Sequence, residues 1–190
     1  NILTKNRYDA EINENYNRNL ILKGLKNAKY NDYIIVSDID EIPNKNAIFN
    51  GINNNLNVFT LEQKLFYYYV NCISEQPWYG SVIAKRNMFT YPQDLRNIRE
   101  QQINVIKDGG WHYGFLGGYE RIKIKLESYF ETQTNTCEIN NEAHIKFMLE
   151  NGGDLFNRTE EIFNKKFISL DSVGHDELYD WVRKYPKMVK

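Results

Sequence analysis

Apolar side chains recur along the chain in two rhythms. From Tyr8 to Ala28, Ile12, Tyr16, Leu20 and Leu25 form an approximate helical stripe with charges opposite, and this predicts a helix. Tyr33 to Val36 is a short β-branched run with the composition of a strand buried on both faces, as in a parallel sheet. Asn46 to Ile52 predicts a short helix. Asn57 to Val70, rich in Phe, Tyr and Val, is the strongest strand signal and is long enough for one bent strand or two. Ser81–Ala84, Met88–Thr90 and Ile103–Ile106 read as short strands. Gln93 to Glu100 reads as a helix opened by Pro92. Tyr119–Tyr129, Asn140–Asn151, Thr159–Phe167 and Asp176–Lys184 read as helices, the second stopped by Gly152-Gly153. The alternation predicts one α/β domain over residues 1–190, with helices gathered toward the C-terminus.

Two stretches carry the chemistry. The strand at Tyr33–Val36 runs directly into Ser37-Asp38-Ile39-Asp40-Glu41-Ile42-Pro43. Open α/β sheets bind ligands at the carboxyl ends of their strands. Three acids crowded there repel one another unless a cation sits among them, and Mg²⁺ or Mn²⁺ suits carboxylate oxygen. In an extended segment Asp38 and Asp40 point the same way while Ile39 points into the core. The plainer reading is a polar turn after a strand. The second stretch is Gly109 to Glu120, in which glycine pairs flank an aromatic strand and Glu120 falls in the first turn of a helix, where negative charge is favoured. Trp111 either stacks on a sugar or fills the core. A metal-held diphosphate and a general base are the minimum kit for transferring a sugar from a nucleotide sugar.

Composition narrows the field. With 24 basic and 25 acidic residues in 190, no general nucleic-acid binder is expected. No apolar run is long enough to span a bilayer. Cys72 and Cys137 have neither metal-like nor redox-like spacing and read as unrelated thiols or as a pair. Few cysteines and no visible anchor point to a cytoplasmic setting. The start at Asn1 raises the expectation of a fragment.

The order and spacing of these pieces resemble glycosyltransferase family 17, whose animal members add bisecting N-acetylglucosamine to N-glycans. The resemblance rests on Arg18-Asn19, Ile35 to Pro43, Tyr67-Tyr68-Tyr69, Pro92 with Leu95-Arg96, Gly110-Trp111-His112-Tyr113, Lys125 to Ser128 and Gly153 to Arg158, across roughly residues 7 to 160. It implies a GT-A-like, Rossmann-like mixed sheet flanked by helices. It also implies a UDP-GlcNAc donor, a glycan acceptor, Mn²⁺ or Mg²⁺, and inverting transfer. By the resemblance Asp40 is the main metal ligand and Asp38 lies near the metal or the donor's ribose. Arg18, Arg96, Trp111 and His112 fall on the donor side, and Glu120 resembles the position of the base. Glu41, Asp94 and Glu142 are competing bases. Family members usually carry a first strand and helix upstream, which this chain lacks or has lost. An animal-type member without its anchor would belong in the Golgi lumen. The family's His-containing segment after Lys-Leu-x-Ser is replaced by Tyr129-Phe130-Glu131-Thr132.

Other readings stay open. Arg96 and Arg99 are both candidates to clamp a diphosphate, with the resemblance favouring Arg96 and a solvated helix face competing for Arg99. Lys85-Arg86 is a weaker pair. His144 reads as structural, and His175 as a late ligand or part of a capping loop. Beside the transferase stand a catalytically silent nucleotide- or carbohydrate-binding module of the same fold and a metal-dependent phosphohydrolase. The second is disfavoured by the lack of another acidic or His cluster.

Overall fold

The computed structural model describes residues 7–128, 134–160, 163 and 165–190. It is an α/β fold of Rossmann-like kind: strands forming a seven-stranded sheet, in the order β1-β5-β3-β4-β7 with β2 and β6 off this path, and helices around them. The chain divides into two compact units, one of Tyr8–Lys64 and Pro77–His112, the other of Leu65–Gln76 and Tyr113–Lys190.

In the first unit, α1 (Arg7–Asn19) tightens into a 3₁₀ segment over Leu20–Leu25, so the predicted long helix ends early as α-helix. The strands β1 (Tyr33–Val36), β2 (Glu41–Pro43), β3 (Val58–Tyr67) and β5 (Trp78–Lys85) follow, with α2 (Lys45–Asn53) between β2 and β3. The Asn44 side chain caps α2 by accepting from the Asn46 amide at 3.0 Å.

The run expected to be buried on both faces is instead an edge. Among the described residues β1 pairs only with β5, antiparallel, from Tyr33↔Lys85 to Val36↔Val82, and Ile35 is 43% exposed. The doubly covered strand is β5. Its Val82 and Ala84 join Val36, Phe89 and Leu95 in one cluster, while Ile83 joins Ala47, Phe59 and Leu61 in another. A β-branched run reports burial but not whether it lies at the middle of a sheet.

Two predicted strands are absent. Residues 86–88 form a 3₁₀ turn. Around Ile103–Ile106, positive φ at Gln102 and Asn104 breaks the extended chain, and only Ile106 bridges to Leu61, in parallel. The helix after Pro92 is real: α3 (Pro92–Asn97) passes into a 3₁₀ turn at Ile98–Gln101.

In the second unit, β3 stops where Tyr68 adopts φ 67°. Then come β4 (Cys72–Ser74), the end of β6 (Gly110–Gly114), α4 (Gly118–Ser128), α5 (Glu142–Asn151), β7 (Lys165–Phe167), α6 (Leu170–Val173) and α7 (Leu178–Lys184). The core joins Tyr68, Cys72 and Phe115 to Ile122 and Leu126 of α4 and to Ile145 and Leu149 of α5. Gly152 ends α5 at φ 68°, as expected. The helix expected over Thr159–Phe167 is not formed at its end, where β7 pairs antiparallel with β4 through Cys72↔Phe167 and Ser74↔Lys165. Lys-Lys-Phe is too short a strand to read by periodicity. Residues 129–133, the altered segment after Ser128, lie outside the described residues. Cys72 is a buried free thiol and Cys137 an exposed one. No described helix is long and apolar enough to cross a membrane.

Candidate functional site

The acidic stretch after β1 is a turn, not an extended segment. The Glu41 amide donates to the Asp38 carbonyl at 3.0 Å. Ile39 therefore sits at the corner of the turn and is fully exposed, at 100%, rather than anchored in the core. The period-2 argument fails here because it holds only for extended backbone.

What anchors the turn is Glu41. Its side chain folds inward, is 0% exposed, and binds Arg96 Nη2 at 2.8 Å and Trp78 Nε1 at 2.7 Å. It also accepts from Ser37 and Ser81 hydroxyls, each at 3.1 Å, and from the Asp38 amide at 3.0 Å. Burial pushes its carboxyl up, but the charge and hydrogen bonds of Arg96, with those of Trp78 and the Asp38 amide, outweigh burial and hold it below the usual value. Gly80 leaves room for this network: a Cβ there would collide with Glu41 Oε1 and Trp78 Nε1. A glycine inside a strand is the sequence signal for such a close approach. Glu41 is thus a buried strut whose carboxylate is spent on internal partners.

Arg96, 2% exposed, spends both terminal nitrogens inside the protein, on Glu41, on Asp38 Oδ2 and on the Gly80 carbonyl. Asp38 turns its other oxygen to Arg18 Nη2 at 3.3 Å. Arg18 in turn binds Glu14 at 2.6 Å and the Gln93 side chain, while Asn19 accepts from the Gln93 amide at 3.0 Å. The end of α1 and the start of α3 are tied together beneath the turn. Both Asp38 oxygens therefore face guanidinium groups.

Asp40 faces another way. β2 pairs with β6 in the register Glu41↔His112, which brings His112 Nε2 to 3.4 Å from Asp40 Oδ1. The two side chains are 12% and 27% exposed, and His112 Nδ1 is buried without a hydrogen-bond partner. The Trp78 ring packs on the imidazole at 4.5 Å between centroids. Trp111, next to His112 on the same strand and opposite Ile42, belongs to the other face by alternation. Among the described residues no group of three or more His, Cys, Asp or Glu could hold a metal. Asp40 and His112 are nevertheless an oxygen and an imidazole nitrogen within reach of one ion, a pair that fits a divalent cation keeping open positions for a ligand.

The remaining candidates take structural places or lie in the second unit. Asp94 completes the capping box of α3 by accepting from the Tyr91 amide. Lys85 and Arg86 pack over Tyr33 and Phe89. Arg99 stacks over Trp78 at 5.2 Å. In the second unit Glu120 is exposed in the first turn of α4, after Gly117 and Gly118 at positive φ. Glu142 pairs with Lys146 on the surface at 2.6 Å. His144 Nε2 bonds the Leu155 carbonyl at 2.9 Å, in keeping with a structural role. His175 Nδ1 meets the Tyr113 hydroxyl at 2.9 Å under a stacked ring, and burial lowers its pKa.

A buried carboxylate–guanidinium strut that presents a second carboxylate and an imidazole at a strand end is compatible with a nucleotide-sugar site. No curated protein and no solved structure matches the chain significantly. The sequence model of Glycosyltransferase family 17 matches residues 2–179, nearly the whole length, and so the chain belongs to that family and is a glycosyltransferase.

Proposed function

We propose that this glycosyltransferase moves N-acetylglucosamine from UDP-GlcNAc to a glycan hydroxyl with inversion, in a reaction that depends on Mn²⁺ or Mg²⁺. The observation that carries the reading is the Asp40–His112 pair at 3.4 Å, positioned by the β2–β6 register and backed by the buried Glu41–Arg96 pair. Asp40 and His112 would hold the cation. When bound, the cation neutralises charge that develops on the departing diphosphate.

The chain's own residues do the rest. Glu41 and Arg96 keep the turn rigid, so that Asp40 does not have to be ordered when donor arrives. Asp38, half-exposed and oriented by Arg18 and Arg96, offers its outer edge to the ribose side of the donor. The family resemblance gives exposed Glu120 the role of base, taking the proton of the acceptor hydroxyl as that oxygen attacks the anomeric carbon. The bond from that carbon to the diphosphate oxygen breaks, and UDP leaves.

Calorimetric titration of UDP and UDP-GlcNAc, with Mn²⁺ and with EDTA, tests the reading. Binding that needs the metal and falls at least tenfold in Asp40→Ala is expected, together with slow UDP release from UDP-GlcNAc without acceptor. Tight binding with no UDP release in any acceptor screen would instead favour a silent binding module. Metal-independent binding, or none, would overturn the metal-dependent UDP-GlcNAc assignment.

A further inference from the structure

Three arginines surround the acidic turn, and they differ in what they have left to give. Arg96 is consumed by Glu41, Asp38 and the Gly80 carbonyl. Arg18 is consumed by Glu14, Asp38 and Gln93. The guanidinium of Arg99, in the 3₁₀ turn after α3, makes no hydrogen bond or ion pair among the described residues, and it lies over the Trp78 ring, 5.2 Å from guanidinium carbon to ring centroid. A guanidinium held over an aromatic ring by a cation–π contact keeps its N–H donors unspent.

This arginine is also poorly solvated. It is half-buried, and burial followed by the neighbouring charge of Arg96 disfavours its cationic form, against the weaker opposing pull of Asp38, Glu41 and Glu100. A desolvated cation with unused donors is a site for an anion, since an anion restores the interactions that burial removed. The sheet on which it rests is shared with the metal-side pair. Trp78 donates to Glu41 at 2.7 Å and packs on His112, which meets Asp40. Trp78 thus contacts both Arg99 and His112 of the proposed cation pair.

We infer that Arg99, not Arg96, is the side chain that grips the terminal phosphate of the nucleoside diphosphate, with Trp78 as the platform that aims it. This rests on the nucleotide-sugar reading above. Arg99 binds the leaving group through two parallel N–H···O bonds, and those bonds strengthen as the sugar departs and the β-phosphate gains charge. Arg96 has the buried strut as its task, and its loss acts on folding.

UDP and UMP are the probes, because they differ by the phosphate in question. Titration in Mn²⁺ of wild type, Arg99→Ala and Arg99→Lys is expected to show UDP affinity falling about tenfold or more in Arg99→Ala. UMP affinity should change less than about threefold on the same scale. Arg99→Lys should fall between, as a point charge without the bidentate fork. Thermal melting run in parallel identifies a variant that has merely unfolded, and Arg99→Lys keeps the test alive if Arg99→Ala does. An equal loss for UDP and UMP, or unchanged UDP affinity in a folded variant, would overturn the assignment to Arg99 while leaving the donor reading intact. A wild type that binds neither nucleotide would overturn both.

Discussion

Each unit buries a carboxylate against cationic side chains, Arg96 for Glu41 and Arg158 with Lys165 for Asp154, and the two clusters use it differently. In the second unit Asp154, 3% exposed in its side chain, is saturated. It takes Arg158 Nη2 at 2.6 Å, Arg158 Nε and the Arg158 amide at 3.0 Å each, the Phe156 amide at 3.2 Å and Lys165 Nζ at 3.3 Å. Lys165 closes the cluster on itself, binding the Phe163 carbonyl and lying over the Tyr67 ring at 4.6 Å. In the first unit the buried Glu41–Arg96 pair opens outward instead, to Asp38 at 39% exposure and Asp40 at 27%. A cluster whose buried carboxylate is filled by its own neighbours, as Asp154 is by Arg158 and Lys165, holds a fold together. One that orders half-exposed groups at a strand end prepares them for a ligand.

The sharpest way to break the comparison is to neutralise each carboxylate. Glu41→Gln leaves Arg96 charged, since a guanidinium cannot shed its proton, and removing one partner of a buried pair costs about 3–5 kcal/mol. Asp154→Asn leaves Lys165, whose pKa burial already lowers, free to neutralise, so a smaller loss of about 1–3 kcal/mol is expected. Urea denaturation should rank them in that order. Glu41→Gln should also abolish metal-dependent UDP binding, whereas Asp154→Asn should keep it per folded molecule. Equal losses of binding in the two variants would mean that both clusters serve the site.

Acid tests both clusters at once. Asp154 is held below its usual value: burial raises it, but the Arg158 hydrogen bonds and the Lys165 and Arg158 charges prevail, as the Arg96 interactions do for Glu41. Both folded-state values are depressed, so both contribute stability above the unfolded carboxylate values, about 3.9 and 4.3, and lose it as pH falls through the folded ones. Melting temperature should therefore drop steeply below about pH 4. Glu41→Gln should flatten that drop. A wild type whose melting is flat from pH 6 to pH 3 would contradict the buried pairs. The smallest effect belongs to the surface. Glu142→Gln removes only an exposed helix pair with Lys146 and should leave melting and UDP affinity unchanged. A clear loss of turnover there would revive Glu142 as the base.

The site was legible in outline because its signals are local. The strand Tyr33–Val36, the acids that follow it and the glycine-flanked strand at Gly110–Gly114 lie where their side-chain patterns place them. The roles within that outline were not legible. Glu41 looked like a third acid beside Asp38 and Asp40, and Arg96 like the free clamp. Only pairing across 55 residues shows that they bury each other. Ile39 looked like an anchor and is fully exposed, because a turn replaces the extended chain.

The sequence by itself determined the type of the longer elements, the family and the two stretches where polar residues interrupt apolar order, since these depend on neighbours along the chain. Tertiary structure decided which strand is the edge, which carboxylate faces inward and which arginine keeps its donors. Those outcomes follow from long-range register, β1 against β5 and Glu41 against His112. Desolvation does the sorting: a charge brought under the sheet must take a partner, and the charges left at the rim stay within reach of solvent.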